Sequence, residues 1–219
     1  MGRVAPVAFW GMMPPPDFRV ELILAKCRQG GPSWQHSETV VSFDDEPLIL
    51  VDAADRETGF LDKASVHAGP GQLHRAFSLF IFNPQGELLL QQRAPGKRLW
   101  PGYWSNSCCS HPRRGELQEE AVRRRLREEL GLACPLRFLF KFQYQARFGG
   151  EGAEHELCWV YAGHCADEPV LNLTEVAALR YVAPAALDRE MAEQPGQFTP
   201  WFRIEWERLR QAHAELFAA

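Results

Sequence analysis

Two carboxylates two residues apart, Glu154 and Glu156 in the run EHE, have a spacing that could do chemistry. In an extended strand it sends both side chains to one side and His155 to the other, so one cation could take both. Upstream, Cys109 stands two residues before His111 in NSCCSHP, which holds a thiol and an imidazole covalently close. His67 and His74 are seven apart. A helix would align them, but Gly69, Pro70 and Gly71 intervene, so a loop has to bring them together. A third group is acidic: Glu128 and Glu129 lie in REELG, with Glu116 upstream. Taken singly, each residue also reads blandly. A histidine is most often hydrogen-bonded or at the surface, a free cysteine is a small buried hydrophobe, and REELG is a solvated helix face with its C-cap.

The chain that must position these groups has 219 residues, 46% of them hydrophobic and 24% charged. That predicts one packed globular domain. With 24 Lys+Arg against 28 Asp+Glu the net charge is -4, so no global basic field attracts a nucleic acid, and a phosphate site has to be local. No apolar run approaches the roughly 18–20 residues that span a bilayer. The opening MGRVAPVAFWGMM, with Arg3 and Pro6, is a poor signal peptide. Cys27, Cys108, Cys109, Cys134, Cys158 and Cys165 are too few and too unevenly spaced for a disulfide framework, which predicts a reducing cytoplasm.

Residues 1–42, punctuated by Pro14–Pro16 and Gly30–Pro32, carry no sustained period and read as a loosely ordered extension before a domain over 43–219. Within that domain PLILV is a short strand and DAADRETG a turn cluster. Ala76–Phe82 and Glu87–Arg93, joined by NPQG, read as a hairpin. A segment punctuated by glycine and proline, 94–115, leads into a helix over about 116–130 that Gly131 caps, with Val122, Leu126 and Leu130 on one face. Strands near 138–148 and 157–163, separated by GGEGAEHE, and helices over 184–193 and 200–217 follow. Strands interleaved with a few helices predict a mixed α/β or α+β domain.

The run Glu116-x7-Arg124-x-Leu126-x-Glu128-Glu129-x-Gly131-Leu132 resembles the Nudix box. It departs where Ser110 replaces the leading glycine and Arg125 replaces the glutamate after the arginine. Taken with HRAFSLFIFN, LLLQQR, WPGYWSNSCCSHP, EHE and TPW in that order, it resembles the type I isopentenyl diphosphate isomerases, a Nudix branch, over about 46–210. The resemblance implies an α/β/α sandwich around a central mixed sheet, and conversion of isopentenyl to dimethylallyl diphosphate through a tertiary carbocation. Two rivals are a metal-dependent Nudix diphosphohydrolase and an inactive Nudix-fold binding module. Arg125 argues against the first, because a guanidinium cannot ligate a metal, and the His/Glu/Cys set argues against the second.

The resemblance assigns roles residue by residue. His67, His74, His111, Glu154 and Glu156 match the metal ligands, a mixed N/O set suited to Mn2+ or Mg2+, or to an expanded Zn2+ site. Cys109 and Glu156 match the two proton-transfer residues, with the direction of transfer open. Glu129 matches the ligand of a second ion, Mg2+, that arrives with the diphosphate. Lys63, Arg93, Lys97 and Arg125 match the diphosphate-binding cations. Trp201 matches the indole that shields the carbocation, with Tyr144 and Trp104 as further wall residues. The expected partner is a small isoprenoid diphosphate, with neither nucleic acid nor membrane, in a monomer or weak homodimer.

Overall fold

The computed structural model describes residues 34–217. Its strands are β1 (His36–Ser37), β2 (Pro47–Val51), β3 (Glu57–Asp62), β4 (His74–Phe82), β5 (Leu88–Arg93) and β6 (Trp104–Ser105). They continue with β7 (Cys108–Ser110), β8 (Arg137–Phe148), β9 (Gly152–His164), β10 (Leu171–Asn172) and β11 (Val176–Val182). The helices are α1 (Lys63–Val66), α2 (Gln118–Leu130), α3 (Pro184–Glu193) and α4 (Pro200–Ala212).

Strand β4 is apolar along most of its length because both of its faces are covered. Phe77, Leu79 and Ile81 pack with Ala121, Val122, Leu126 and Leu130 of α2. Ala76, Phe80 and Phe82 pack with Trp201, Phe202, Trp206 and Leu209 of α4. The result is a helix layer on each side of a mixed nine-stranded sheet, the expected sandwich. Helix α2 ends as its sequence predicts, with Gly131 in the left-handed conformation at φ 64 and its amide donating to the Arg127 carbonyl.

Around β4 the pairing departs from a simple hairpin. β4 and β5 meet only at Phe82 and Leu88. Beyond that pair β5 turns to β11 and β6, while β4 takes β7 antiparallel and β9 parallel over nine residue pairs. The hairpin expectation fails because the segment 104–110 enters between the two strands, β6 pairing with β5 and β7 with β4, and Ser107 Oγ bridges Ile81 N and the Leu89 carbonyl. The expected GGEGAEHE loop shrinks to a turn at 149–151, since β9 starts at Gly152 and carries Glu154 and Glu156 within it. Strands β3 and β11 fall where the sequence showed a turn cluster and no clear period. Helix α4 ends at Ala212, and a separate 3-10 turn, Ala214–Phe217, follows.

Most of the expected N-terminal extension lies outside the described residues, but 34–42 are packed on the domain. β1 pairs parallel with β10, and the Val41 carbonyl accepts from Arg113 at 3.1 Å and Arg125 at 3.0 Å. Packing among the described residues therefore extends ahead of the expected boundary at 42, because long-range backbone bonds hold a segment that has no period of its own. No helix among the described residues is long and apolar enough to cross a membrane.

The turn into β9 depends on Gly152, at φ 148, where a Cβ would stand against the His67 carbonyl oxygen closer than real Cβ atoms come. That oxygen also accepts from Ala153 N at 3.0 Å, so it cannot retreat freely. Gly86, at φ 73, has open space around its missing Cβ. Gly152→Ala should cost clearly more than the roughly 1 kcal/mol of backbone strain expected for Gly86→Ala, read as the urea midpoint of each variant. Equal costs would show that the His67 turn yields.

Candidate active site

Five side chains from four elements converge on one point. His67 caps the C-terminus of α1, His74 opens β4, His111 follows β7, and Glu154 and Glu156 project from β9. One ligand atom from each lies within 4.8 Å of all the others. The loop that brings the first two histidines together turns at Gly69 and Gly71, with positive φ at both, and Gln72 N donates back to the Val66 carbonyl at 2.8 Å. His74 pairs with Glu156 in the parallel β4–β9 register, so both side chains leave the sheet on the same face.

The imidazoles are oriented by backbone. His67 Nδ1 lies 2.7 Å from the Lys63 carbonyl and His74 Nδ1 lies 2.8 Å from the Gln72 carbonyl, so both rings turn Nε2 inward. Such carbonyl acceptors fix the tautomer that leaves a lone pair for a cation. His74 Nε2 is buried without a hydrogen-bond partner, which is the condition of a ligand atom. Burial and the neighbouring histidines push His74 down to about 3 and His111 well below the usual range, so both rings are neutral. Burial alone would raise Glu154, but His67, 2.9 Å away, brings it down to about 2. Burial and the charge of Glu154 raise Glu156. Neutral imidazoles with two clustered carboxylates fit a divalent cation.

Tyr144, expected only as a wall residue, donates its hydroxyl to Glu156 Oε2 at 2.7 Å. Cross-strand pairing of Tyr144 with Glu156 on β8 and β9 sets that contact. Cys109 pairs with Ser78 on the other flank of β4, so its thiol shares the α4 side of the sheet. Burial pushes that thiol up to about 12, against the opposing charge of Arg93, whose Nη1 lies 3.7 Å from the sulfur. Cys108 is fully buried among residues of the α2 side. Trp201 donates to Ser105 Oγ at 3.1 Å, and its ring lies 6.2 Å from that of Tyr144 and 5.2 Å from the Arg93 guanidinium. Trp104 instead packs beneath the Arg180 guanidinium at 4.4 Å, in a separate cleft of about 270 Å3, because its alternation with Ser105 turns it the other way.

The four expected phosphate-binding cations are all engaged. Lys63 bonds Ser42 Oγ, Lys97 bonds Glu175, and Arg93 donates to the carbonyls of Leu99 and Trp100. Arg125 is almost wholly buried and donates to Glu129, Glu128, Glu175 and the Val41 carbonyl. Within the box-like helix Arg124 grips Glu116 at 2.6 and 2.8 Å, which ties the preceding loop to α2 and explains the eight-residue spacing of the two. Sequence reasoning missed Glu175, which follows the short strand β10 without a motif, and Glu205, on the buried face of α4. Glu205 is fully buried, accepts from Cys158 Sγ at 3.4 Å, and is pushed up to about 8 by burial.

A mixed sheet flanked by helices, with a glutamate-rich helix packed on it, is the arrangement of a Nudix domain, and the NUDIX domain family matches residues 72–202. A solved structure from Deinococcus radiodurans is similar with a TM-score of 0.60 and 25% identity, over 77% of this chain and 99% of that one. A MutT protein structure from Methanosarcina mazei, 19% identical with a TM-score of 0.53 over 64% of this chain and 94% of its own, shares the fold. An isopentenyl-diphosphate Delta-isomerase of Burkholderia multivorans is 46% identical over 75% of this chain and 93% of its own. Another, isopentenyl-diphosphate Delta-isomerase 1 of Photorhabdus laumondii, is 42% identical over 77% of this chain and 97% of its own. The chain belongs to the isopentenyl-diphosphate Delta-isomerase family.

The cluster predicts that the purified protein carries about one divalent transition-metal ion per chain, and that His67→Ala lowers that content at least tenfold, as elemental analysis would show. Metal content unchanged in the variant would refute the cluster as a metal site. Glu205 predicts a pH effect. An acid whose pKa is raised by folding holds its proton more tightly folded than unfolded, so its burial costs stability as pH climbs from the carboxylate range through about 8. Glu205→Gln removes that cost, and its gain in Tm over the parent should grow from about pH 5 to about pH 8. A gain independent of pH would mean the carboxyl reaches water.

Proposed function

We propose that this protein isomerises isopentenyl diphosphate to dimethylallyl diphosphate. The double bond moves by protonation at one carbon and loss of a proton from another, through a tertiary carbocation. The observation that carries this reading is the placement of a thiol and a carboxyl on the two strands flanking β4, both facing α4, beside the five-ligand cluster. An unactivated alkene is a very weak base, so the reaction needs a strong acid in a dry pocket.

Cys109 and Glu156 are the two proton-transfer groups, and the reversible reaction uses both. The Tyr144 hydroxyl holds Glu156 by its Oε2, which fixes where that carboxyl can exchange a proton. Burial holds the Cys109 sulfur in its protonated thiol form in the resting site. Trp201 presents an indole face whose quadrupole favours a cation over a neutral alkene, and its bond to Ser105 fixes the ring. A tightly held Mn2+, Zn2+ or Mg2+ on His67, His74, His111, Glu154 and Glu156 would lower the pKa of Glu156, and Glu129 would hold a Mg2+ that offsets the charge of the diphosphate. Lys63, Arg93, Lys97 and Arg125 supply the local positive charge that an isoprenoid diphosphate needs in a chain of net charge -4.

Incubating the protein with isopentenyl diphosphate and Mg2+ should yield dimethylallyl diphosphate, detected by NMR. Free phosphate would instead assign a hydrolase, and unchanged substrate a binding module. Cys109→Ser should fold and lose nearly all turnover, while Cys108→Ser, altered on the opposite face, stays active. Retention of more than about a tenth of the rate by Cys109→Ser, a loss under roughly 1.4 kcal/mol, would overturn the thiol's role.

A further inference from the structure

Glu175 sits where three cations from distant segments meet, and none of the proton-transfer or metal-binding roles uses it. Its carboxylate Oε2 accepts from Arg125 Nη2 at 3.0 Å and bonds Lys97 Nζ. Its side chain is 4% exposed, that of Arg125 3% and that of Lys97 22%, so the two bonds lie at the inner wall of the cation group with Lys97 nearest to water. Its backbone pins the same loop: Ala94 N donates to the Glu175 carbonyl at 3.0 Å, and Lys97 N donates to the Ala94 carbonyl at 3.1 Å. Glu175 is itself held in a turn, its N donating to the Asn172 carbonyl at 3.0 Å, and Asn172 Nδ2 donates to the Glu128 carbonyl of α2 at 3.1 Å. One residue thereby fixes, by main chain and side chain together, how the Lys97 loop sits against the Arg125 helix.

Buried like charges brought close repel one another unless a counter-charge accompanies them. Burial lowers the pKa of Lys63, the charges of Lys97 and Arg125 lower it further, and Glu46 and Glu175 oppose them. Burial alone would raise Glu175, but Lys97 and Arg125 bring it below the usual range, so it is ionised. Glu129 is the other carboxylate on Arg125, accepting from Nε at 3.1 Å and Nη2 at 2.6 Å. A carboxylate that also serves a magnesium diphosphate has to share its oxygens, whereas Glu175 has no such second claim on it.

We propose that Glu175 is the positioning residue of the diphosphate site, holding Lys97 and Arg125 together in the geometry that receives a diphosphate. This rests on the reading of Lys63, Lys97 and Arg125 as the diphosphate-binding group. The opposite role is a competitor, a carboxylate that occupies the cations and has to be displaced. The two roles differ in sign: loss of the charge weakens diphosphate binding if Glu175 positions and tightens it if Glu175 competes.

Calorimetric titration of inorganic pyrophosphate with Mg2+ into the full chain reads that sign without needing turnover. Glu175→Gln should raise the pyrophosphate Kd by about tenfold or more and raise KM for isopentenyl diphosphate in parallel, with kcat within about threefold. Glu175→Asp keeps the charge with a shorter reach and should fall between Gln and the parent. Unchanged or tighter pyrophosphate binding by Glu175→Gln overturns the proposal, and so does a fall in kcat at constant KM. Should Glu175→Gln fail to fold, Glu175→Asp decides: binding weaker than the parent supports positioning, and equal or tighter binding overturns it. A parent that binds pyrophosphate without isomerising sinks the isomerase reading and leaves this one standing. A parent that binds no pyrophosphate sinks both.

Discussion

Side chains along a strand alternate between faces, so a register slip of one residue in the parallel β4–β9 pairing would turn every side chain of β9 to the opposite face. The observed register sets His74 beside Glu156 and carries the pairing on to Phe82 beside His164. Two other strands then locate their chemistry from the same reference: β7 sets Cys109 beside Ser78, and β8 sets Tyr144 beside Glu156. Thiol, phenol, imidazole and carboxylates thus reach the α4 side of one sheet. The register is itself fixed by burial, since the alternate positions of β4, Phe77, Leu79 and Ile81, fill the core under α2.

A sheet face that is apolar farther along becomes polar at the site, and that has an energetic cost offset by pairing. His74 and Glu205 are fully buried, and Arg125, Glu129, Glu154, Glu156 and Glu175 are nearly so. Isolated charges at such depth would be expelled or neutralised: burial holds His74 and Glu205 towards their neutral forms, and others occur in compensated groups. On one side carboxylates meet imidazoles around His67 and Glu154; on the other they meet a guanidinium and an ammonium around Arg125 and Glu175.

Aromatic residues line the sheet face beside Glu156 and Arg93. Trp201 of α4 lies ring against ring with Trp100 and Tyr144, the Trp100 and Trp201 centroids 5.3 Å apart at 90°. Edge-to-face packing of this kind favours the ring pair beyond the area it buries. The hydrogen bond of Trp201 to Ser105 and that of Tyr144 to Glu156 give two of these rings a polar anchor, so the wall is rigid as well as apolar.

Local periodicity in the sequence determined which residues would be strand or helix and which faces would be buried: the apolar run of β4, the four-residue spacing of α2 with its Gly131 cap, and the Glu154/Glu156 alternation. The ordered motifs, read with the family resemblance, named the metal-ligand set and the cations. The tertiary structure decided who stands opposite whom. The insertion of β6 and β7 between β4 and β5 parted a hairpin that the sequence favours, residues 34–42 were drawn onto the domain by the Val41 carbonyl and β10, and Trp104 was turned away beneath Arg180. Glu175, Glu205 and the Tyr144 bond to Glu156 had no local signal at all. The reason is physical: period and propensity are properties of neighbouring residues, whereas strand register and the compensation of buried charge depend on groups tens of residues apart that meet only when the chain closes.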